Sequence, residues 1–253
     1  MPSADPTSPV YDRIGVGYAT QRRPEARWEA VIQDALGDAR SVVNVGAGAG
    51  SYEPADRLVV AIEPSMTMID QRRVDAAPVA QAVAEALPIR DGSFDAALAI
   101  HTVHHWRDPA VGFAELRRVA RRQVVMTWDP RVTNEFWLVR DYLPEIATFE
   151  ADLVTLDRVV AELDVREVRP MPVPADCTDG ALGAQWRRPH AYLDPAVRAA
   201  TSGFSLLDQG IVDRAMAKLR ADLDDGTWRR EHPELEGLDE ADLGYRLVVA
   251  GDV

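Results

Sequence analysis

The run Ser41-Val-Val-Asn-Val45 leads straight into Gly-Ala-Gly-Ala-Gly at 46–50, and a second apolar run, Leu58-Val-Val-Ala-Ile62, closes on Glu63. Short β-branched runs bounded by turn residues read as strands buried on both faces, the habit of parallel sheets. Glycines at 46, 48 and 50 allow a tight turn and bring backbone N–H groups close to a ligand, an approach that a Cβ would obstruct. An acid at the tip of the next strand is positioned to accept both hydroxyls of a ribose. Together these segments read as a nucleotide-binding unit that begins at Ser41. The dinucleotide fingerprint wants its third glycine one residue later, where Ser51 stands, and Glu63 arrives early for that spacing. A nucleoside without a pyrophosphate suits the shorter loop better. Glycines alone also fit an ordinary strand-to-helix turn, so the loop needs its neighbours to decide the matter.

Those neighbours alternate strand and helix. Trp28, Val31, Ile32, Ala35 and Leu36 share one helical face, and Gly37 stops the helix. Phe94 to Ile100 reads as a third strand, although its alanines weaken the propensity argument. Asp108-Pro109 supplies an N-cap and a first-turn proline for a helix carrying Phe113, Leu116 and Ala120 on one face. Gln123-VVMTWDP returns to strand chemistry, and Leu156 to Leu163 followed by Val165 to Val173 gives another helix and strand. From Asp176 to Leu243 the strand signal disappears in favour of helical stretches at 194–201 and 208–223, and it resumes at Tyr245-RLVVA. The expected fold is α/β: a mostly parallel, Rossmann-like sheet with helices on both faces and a helical insert before the last strand.

Composition narrows the function. No apolar run approaches the roughly 20 residues that span a bilayer, and the first ten residues read as a tail rather than a secretory signal. Cys177 is the only cysteine, so neither an internal disulfide nor a cysteine-built zinc site is expected, which fits a cytoplasmic protein. A net charge of -13 opposes a phosphate backbone, so nucleic acid is not the expected partner. Lys218 is the sole lysine, a bias toward arginine that lowers the weight of any single Arg.

The segments NVGAGAG, AIEPSMTMI, AEALPIRDGSFDAAL and TVHHWRDP, in that order within residues 41–130, resemble the type 11 branch of class I S-adenosylmethionine-dependent methyltransferases. The resemblance implies that Gly46, Ala47 and Gly48 lie against the methionine part of S-adenosylmethionine and that Glu63 binds the ribose. Pro64 and Met68 then flank the adenine, with Ala84 and Glu85 at its edge. His101 stands beside the cofactor, and His104 points toward the transfer pocket as the first candidate base, with His101 second. Tyr11-DRIGVGYATQRRP resembles the family's lead-in segment, making Tyr18 and Arg22 candidates to cover the cofactor. On this reading 1–26 is a tail and cofactor-covering segment, 27–175 the binding core, 176–243 a helical lid and 244–253 a terminal core strand.

Several positions depart from the family pattern. Asn44 replaces the acid usual before the glycines, and Val83 stands where many members carry an acid for the adenine amino group. Ser51 to Arg57 leave far less room for a helix than usual, since a parallel crossover needs about a dozen residues. Tyr52 and Glu53 are therefore expected to lie near the cofactor or to shape its loop. Asp129 reads as an edge residue or an N-cap. Trp186, His190 and Tyr192 are candidates to line a substrate pocket, or else amphipathic faces of the lid. No metal is expected, because the histidine cluster has only Asp108 nearby and no HExxH pattern. The resemblance implies methyl transfer to a small molecule through oxygen, nitrogen or carbon, with S-adenosylhomocysteine as product and either a monomer or a homodimer. The same scaffold also accommodates a non-methylating reaction such as cyclisation, or cofactor binding without catalysis.

Overall fold

The computed structural model describes residue 12 and residues 23–150, 153–205 and 207–252. Tyr18 and Arg22 lie outside the described residues. Nine strands follow one another among the described residues: β1 (Ser41–Val45), β2 (Leu58–Ile62), β3 (Val79–Ala80), β4 (Phe94–Ile100), β5 (Ala120–Trp128), β6 (Val165–Pro170), β7 (Val173–Pro174), β8 (Glu240–Ala241) and β9 (Tyr245–Gly251). Seven of them build one sheet in the order β3-β2-β1-β4-β5-β9-β6. Pairings from β3 through β5 are parallel, and β9 runs antiparallel to both β5 and β6. Strand order reverses between β1 and β4, which opens a crevice at their carboxyl ends, the place where open α/β sheets bind ligands.

Alternation along the strands sorts the core into two faces. Val42, Ala96, Leu98, Val124 and Met126 face helix α1 (Ala26–Ala35) and the cap, meaning the helical segments at 130–150 and after β7, while Val43, Val45, Ala97, Ala99 and Val125 face α3 (Pro109–Val119) and α6 (Leu156–Glu162). The alanines of β4 are fully buried. Position in the sheet centre outweighs their weak strand propensity, and their small side chains let helices pack closely on both faces. The Asp108 carboxylate accepts from the Val111 N–H, and Pro109 occupies the first turn of α3.

The crossover at 51–57 contains turns and no helix, in keeping with its shortness in the sequence. Two features differ from the sequence expectation. The stretch expected to lack strands holds β8, which pairs with β7. Helical residues also come from an unexpected source: after α4 (Pro130–Thr133), a π-turn over Leu138–Tyr142 and α5 (Glu145–Glu150) join the same apolar cluster as the segments after β7. Trp137 packs against Tyr192 and Trp228 at ring separations of 5.7 and 5.3 Å, and its Nε1 donates to the Trp186 carbonyl. Among the described residues no helix is long and apolar enough to cross a membrane.

Candidate active site

The glycine loop is fixed from both sides. N–H groups of Gly46 and Ala47 donate to the Ile62 carbonyl at 2.8 and 3.0 Å, tying the loop to the end of β2. Gly46 has φ +70°, and a Cβ there would fall 1.9 Å from Thr102 Oγ1, so the loops after β1 and β4 meet over the crevice only because position 46 is glycine. Gly48, at φ +53°, lies over Met68, whose Cε would be 3.3 Å from an added Cβ. Met68 is buried beneath the loop in α2 (Met66–Ile69), where the Ser65 hydroxyl caps its N–H. Ala47 is also buried, and Pro64 is half-buried.

Glu63 stands at the tip of β2 with 5% exposure. One carboxylate oxygen accepts from the Gly48 N–H and the other from the Ser65 N–H, both at 2.8 Å. Burial raises its pKa above the ordinary 4.5, and the two N–H donors only partly oppose that rise. Each oxygen has one backbone donor, so half of the carboxylate's acceptor capacity is left for a ligand.

Beneath the loop a second carboxylate, that of Glu53, lies against the side chain of Asn44. Asn44 donates through Nδ2 to Glu53 Oε1 at 3.2 Å. Glu53 holds Arg72 Nη2 through both oxygens at 2.8 Å, and Arg72 also donates to the carbonyls of Gly48 and Ala77. Side-chain exposures of 4% and 8% make this a buried ion pair. Tyr52, at φ +62° and buried, donates its hydroxyl to Asp179 at 2.6 Å and accepts from the Glu25 N–H at 3.1 Å. Both Tyr52 and Glu53 shape the loop from below.

The histidines follow β4. His101 turns the chain at φ +52° and packs its ring against Tyr245 and Trp28 at 5.5 and 6.1 Å. A non-glycine residue in this region costs about 1–2 kcal/mol, and such strain gathers at functional sites. His104, in the 3₁₀ turn Val103–His105, meets the edge of Trp128 at 4.9 Å and His105 at 3.9 Å. Burial brings the His105 imidazole down to about 4, so it is neutral at physiological pH. Trp106 packs on Phe113 and over Gly112. Ala84 is buried near this edge, and Glu85 is occupied by the N–H groups of Arg107 and Asp108 at 2.6 and 3.1 Å. Asp129 caps α4 and pairs with Arg131. Cys177 is buried, and burial pushes its thiol up to about 12, which removes it as a nucleophile.

The substrate-lining expectation needs correction. Trp186 has 0% exposure and donates Nε1 to the carbonyls of Val173 and Pro174, while Tyr192 has 1% exposure and donates to the Leu182 carbonyl. With almost no surface accessible to water and their polar atoms satisfied internally, both are core residues of the cap. His190, on the same turn as Tyr192, is exposed.

A solved structure described as a putative methyltransferase from an antibiotic biosynthesis pathway of Anabaena variabilis matches with a TM-score of 0.85 and 32% identity, covering 92% of this chain and 99% of that one. The chain belongs to this methyltransferase family. A family model described as a methyltransferase domain matches residues 43–126 of the chain, from β1 through most of β5. An uncharacterized methyltransferase of Mycobacterium tuberculosis is 36% identical over 155 residues, 57% of this chain and 61% of that protein. The match thus spans about three fifths of the length of that curated relative. Geranyl diphosphate C-methyltransferase from Streptomyces coelicolor, at 15% identity and a TM-score of 0.51 over 90% of this chain and 76% of that one, shares the fold.

Sequence reading missed four residues that organise the glycine loop: Arg72, Thr102, Ser65 and Asp179. Arg72 has no signal that separates it from the other arginines. Ser65, as an N-cap candidate before Met66, is the one of the four that the sequence pattern marks.

Proposed function

We propose that this protein transfers a methyl group from S-adenosylmethionine to a small-molecule acceptor, releasing S-adenosylhomocysteine. The observation that carries this reading is the Glu63 carboxylate, bonded to the Gly48 N–H at the mouth of the β1–β4 crevice with acceptor capacity to spare. A buried acid with two remaining acceptor sites fits the paired hydroxyls of a ribose. Membership of the family supports the same reading. Gly46, Ala47 and Gly48 are the proposed contacts for the methionine part, Pro64 and Met68 for the adenine, and Ala84 and Glu85 for its edge. Glu85 also binds the backbone at 107–108, so its contribution there is to hold the edge of the pocket in place.

When bound, the cofactor supplies an electrophilic methyl on a sulfonium. The chain's own task is to align an acceptor with that methyl and exclude water. His104 is the proposed base that takes the acceptor's proton, supported by its position after β4 beside Trp128; His101 is the second candidate. Neutral His105 contributes no competing positive charge. Residues 27–175 and 244–253 are the proposed core and 176–243 the lid, to which the helical stretch at 130–150 adds its packing. A small acceptor is favoured by the net charge of -13, which opposes nucleic acid, and the cytoplasm is the proposed compartment.

Calorimetry with S-adenosylmethionine and S-adenosylhomocysteine tests the binding half, with heat of association expected for both. Detection of S-adenosylhomocysteine on incubation with panels of phenols, amines and carbon acids tests transfer. Absence of heat with either nucleoside overturns the reading. Tight binding without turnover across the panels leaves a cofactor-binding scaffold instead.

A further inference from the structure

The cap carries a half-open cavity of about 560 Å³ that is lined by residues between 187 and 237 alone. None of the residues proposed above for the cofactor or for proton transfer lines it. Trp228 and His232 form part of its wall, their rings 5.2 Å apart, with Leu223 and Leu235 as apolar neighbours. Behind them the Trp137 ring packs at 5.3 Å from Trp228 and 6.0 Å from His232.

This wall carries a concentration of unsatisfied polar atoms. His232 is 2% exposed, yet neither ring nitrogen has a hydrogen-bond partner among the described residues, and the Trp228 Nε1 is buried without an acceptor. Asp141 Oδ2 lies 3.4 Å from His232 Nε2 and Glu234 Oε1 lies 3.7 Å from Nδ1, neither in hydrogen-bonding geometry. Asp141 is instead gripped by Arg140. A buried donor without a partner costs about 1–3 kcal/mol, and native structures hold few of them. Both of these residues are among those that line the cavity.

Charge indicates what the partner is. Arg229 is neutralised by Glu236, whereas Arg187, which also lines the cavity, has no carboxylate partner among the described residues. One uncompensated guanidinium therefore borders an aromatic wall whose indole N–H lacks an acceptor. Planar faces favour an aromatic ring, and a guanidinium favours a carboxylate. The volume also lies within the range of roughly 300–1,000 Å³ typical of small-molecule sites. We propose that this cavity is a second ligand site, one that binds a monoanionic aromatic acid with its ring against Trp228 and His232 and its carboxylate toward Arg187. Binding is non-covalent and does not depend on the methyl-transfer reading.

The test follows the tryptophan indole N–H signals of the full chain in ¹⁵N–¹H spectra, with the Trp228 signal assigned from Trp228→Phe. Titration with 2-naphthoate is expected to shift that signal saturably, with half-saturation below about 1 mM. The uncharged 2-naphthylmethanol, and 2-naphthoate added to Arg187→Ala, are each expected to bind at least about tenfold more weakly. Arg187 is exposed, so its replacement leaves the melting temperature unchanged. No shift up to about 10 mM, equal binding of the neutral analogue, or undiminished binding by Arg187→Ala overturns the proposal. S-adenosylhomocysteine affinity measured on the same samples reports on the methyl-transfer reading separately.

Discussion

Replacing Glu53 with glutamine isolates what the buried carboxylate beneath the glycine loop does. Every group around Glu53 is a donor: Asn44 Nδ2 at 3.2 Å, Arg72 Nη2 at 2.8 Å to each oxygen, and the Ala77 N–H at 3.3 Å. Glu53→Gln turns one acceptor into an NH₂ facing those donors and leaves Arg72, with only 4% side-chain exposure, without its counter-charge. Breaking a buried pair from one side costs about 3–5 kcal/mol. At about 2–4 °C per kcal/mol for a domain of this size, the melting temperature should fall by roughly 6–20 °C. Arg72 also holds the Gly48 carbonyl at 3.2 Å, so affinity for S-adenosylhomocysteine should weaken by about tenfold as well.

General loss of packing gives a similar melt, so the decisive measurement is the double variant. Asn44→Asp alone sets a second carboxylate about 3.2 Å from Glu53 Oε1 and should destabilise by like-charge repulsion. Combined with Glu53→Gln, it restores one negative charge beside Arg72 and gives the newly introduced amide an acceptor. Thermal melts and calorimetry should recover at least half of the Glu53→Gln loss in both readouts, a non-additivity expected of residues in one network. A double variant that melts at the sum of the two single losses refutes the reasoning.

Glu63 gives a pH signature: its raised pKa means that the carboxylate becomes protonated, and stops accepting hydroxyl donors, as pH falls toward and through values above the ordinary 4.5. Affinity for S-adenosylhomocysteine should therefore decline on acidification, whereas Glu63→Gln should bind about 10–100-fold more weakly at neutral pH and show no such decline. His104→Ala should lower kcat by about 10²-fold or more while leaving cofactor affinity near wild type, and unchanged turnover removes it as the base. Burial pulls the Glu25 pKa upward, but hydrogen bonds from the Arg27 side chain and from the N–H groups of Arg27 and Thr178 outweigh that and bring it to about 2. Stability from this depressed carboxylate is present above 4.5 and lost as pH falls through about 2; Glu25→Gln should cost on the order of 3 kcal/mol at pH 7 and nothing near pH 2 in thermal melts.

Legibility in the sequence followed burial. β1, β2, β5 and β9 are largely covered on both faces, which writes continuous apolar runs, and α3 announces itself through Asp108-Pro109. The stretch at 130–150 carries no comparable period because its helical pieces are short and include a π-turn, and its partners Trp186, Tyr192 and Trp228 lie far along the chain. Trp186 and Tyr192 escape a local reading for a related reason. An amphipathic pattern says that a side chain is covered, and whether protein or substrate covers it depends on contacts that no local pattern encodes. Glycines and acids at strand ends are easier to place because backbone geometry alone fixes where they stand.

The missing crossover helix explains the polar hub beside the glycine loop. With only turns at 51–57, no helix screens the outer side of the loop, and that surface must be covered from elsewhere. The N-cap of α1 and the start of the cap meet there: Tyr52 bonds Asp179 and the Glu25 N–H, and Glu25 in turn accepts from the Thr178 N–H at 3.1 Å. Tyr52 sits at φ +62°, a cost that persists only where surrounding contacts fix the conformation. Shortening the crossover has therefore joined the nucleotide loop, the first helix and the cap through one buried set of hydrogen bonds, so a displacement of the cap at Thr178–Asp179 is felt at the residue two positions after Gly50.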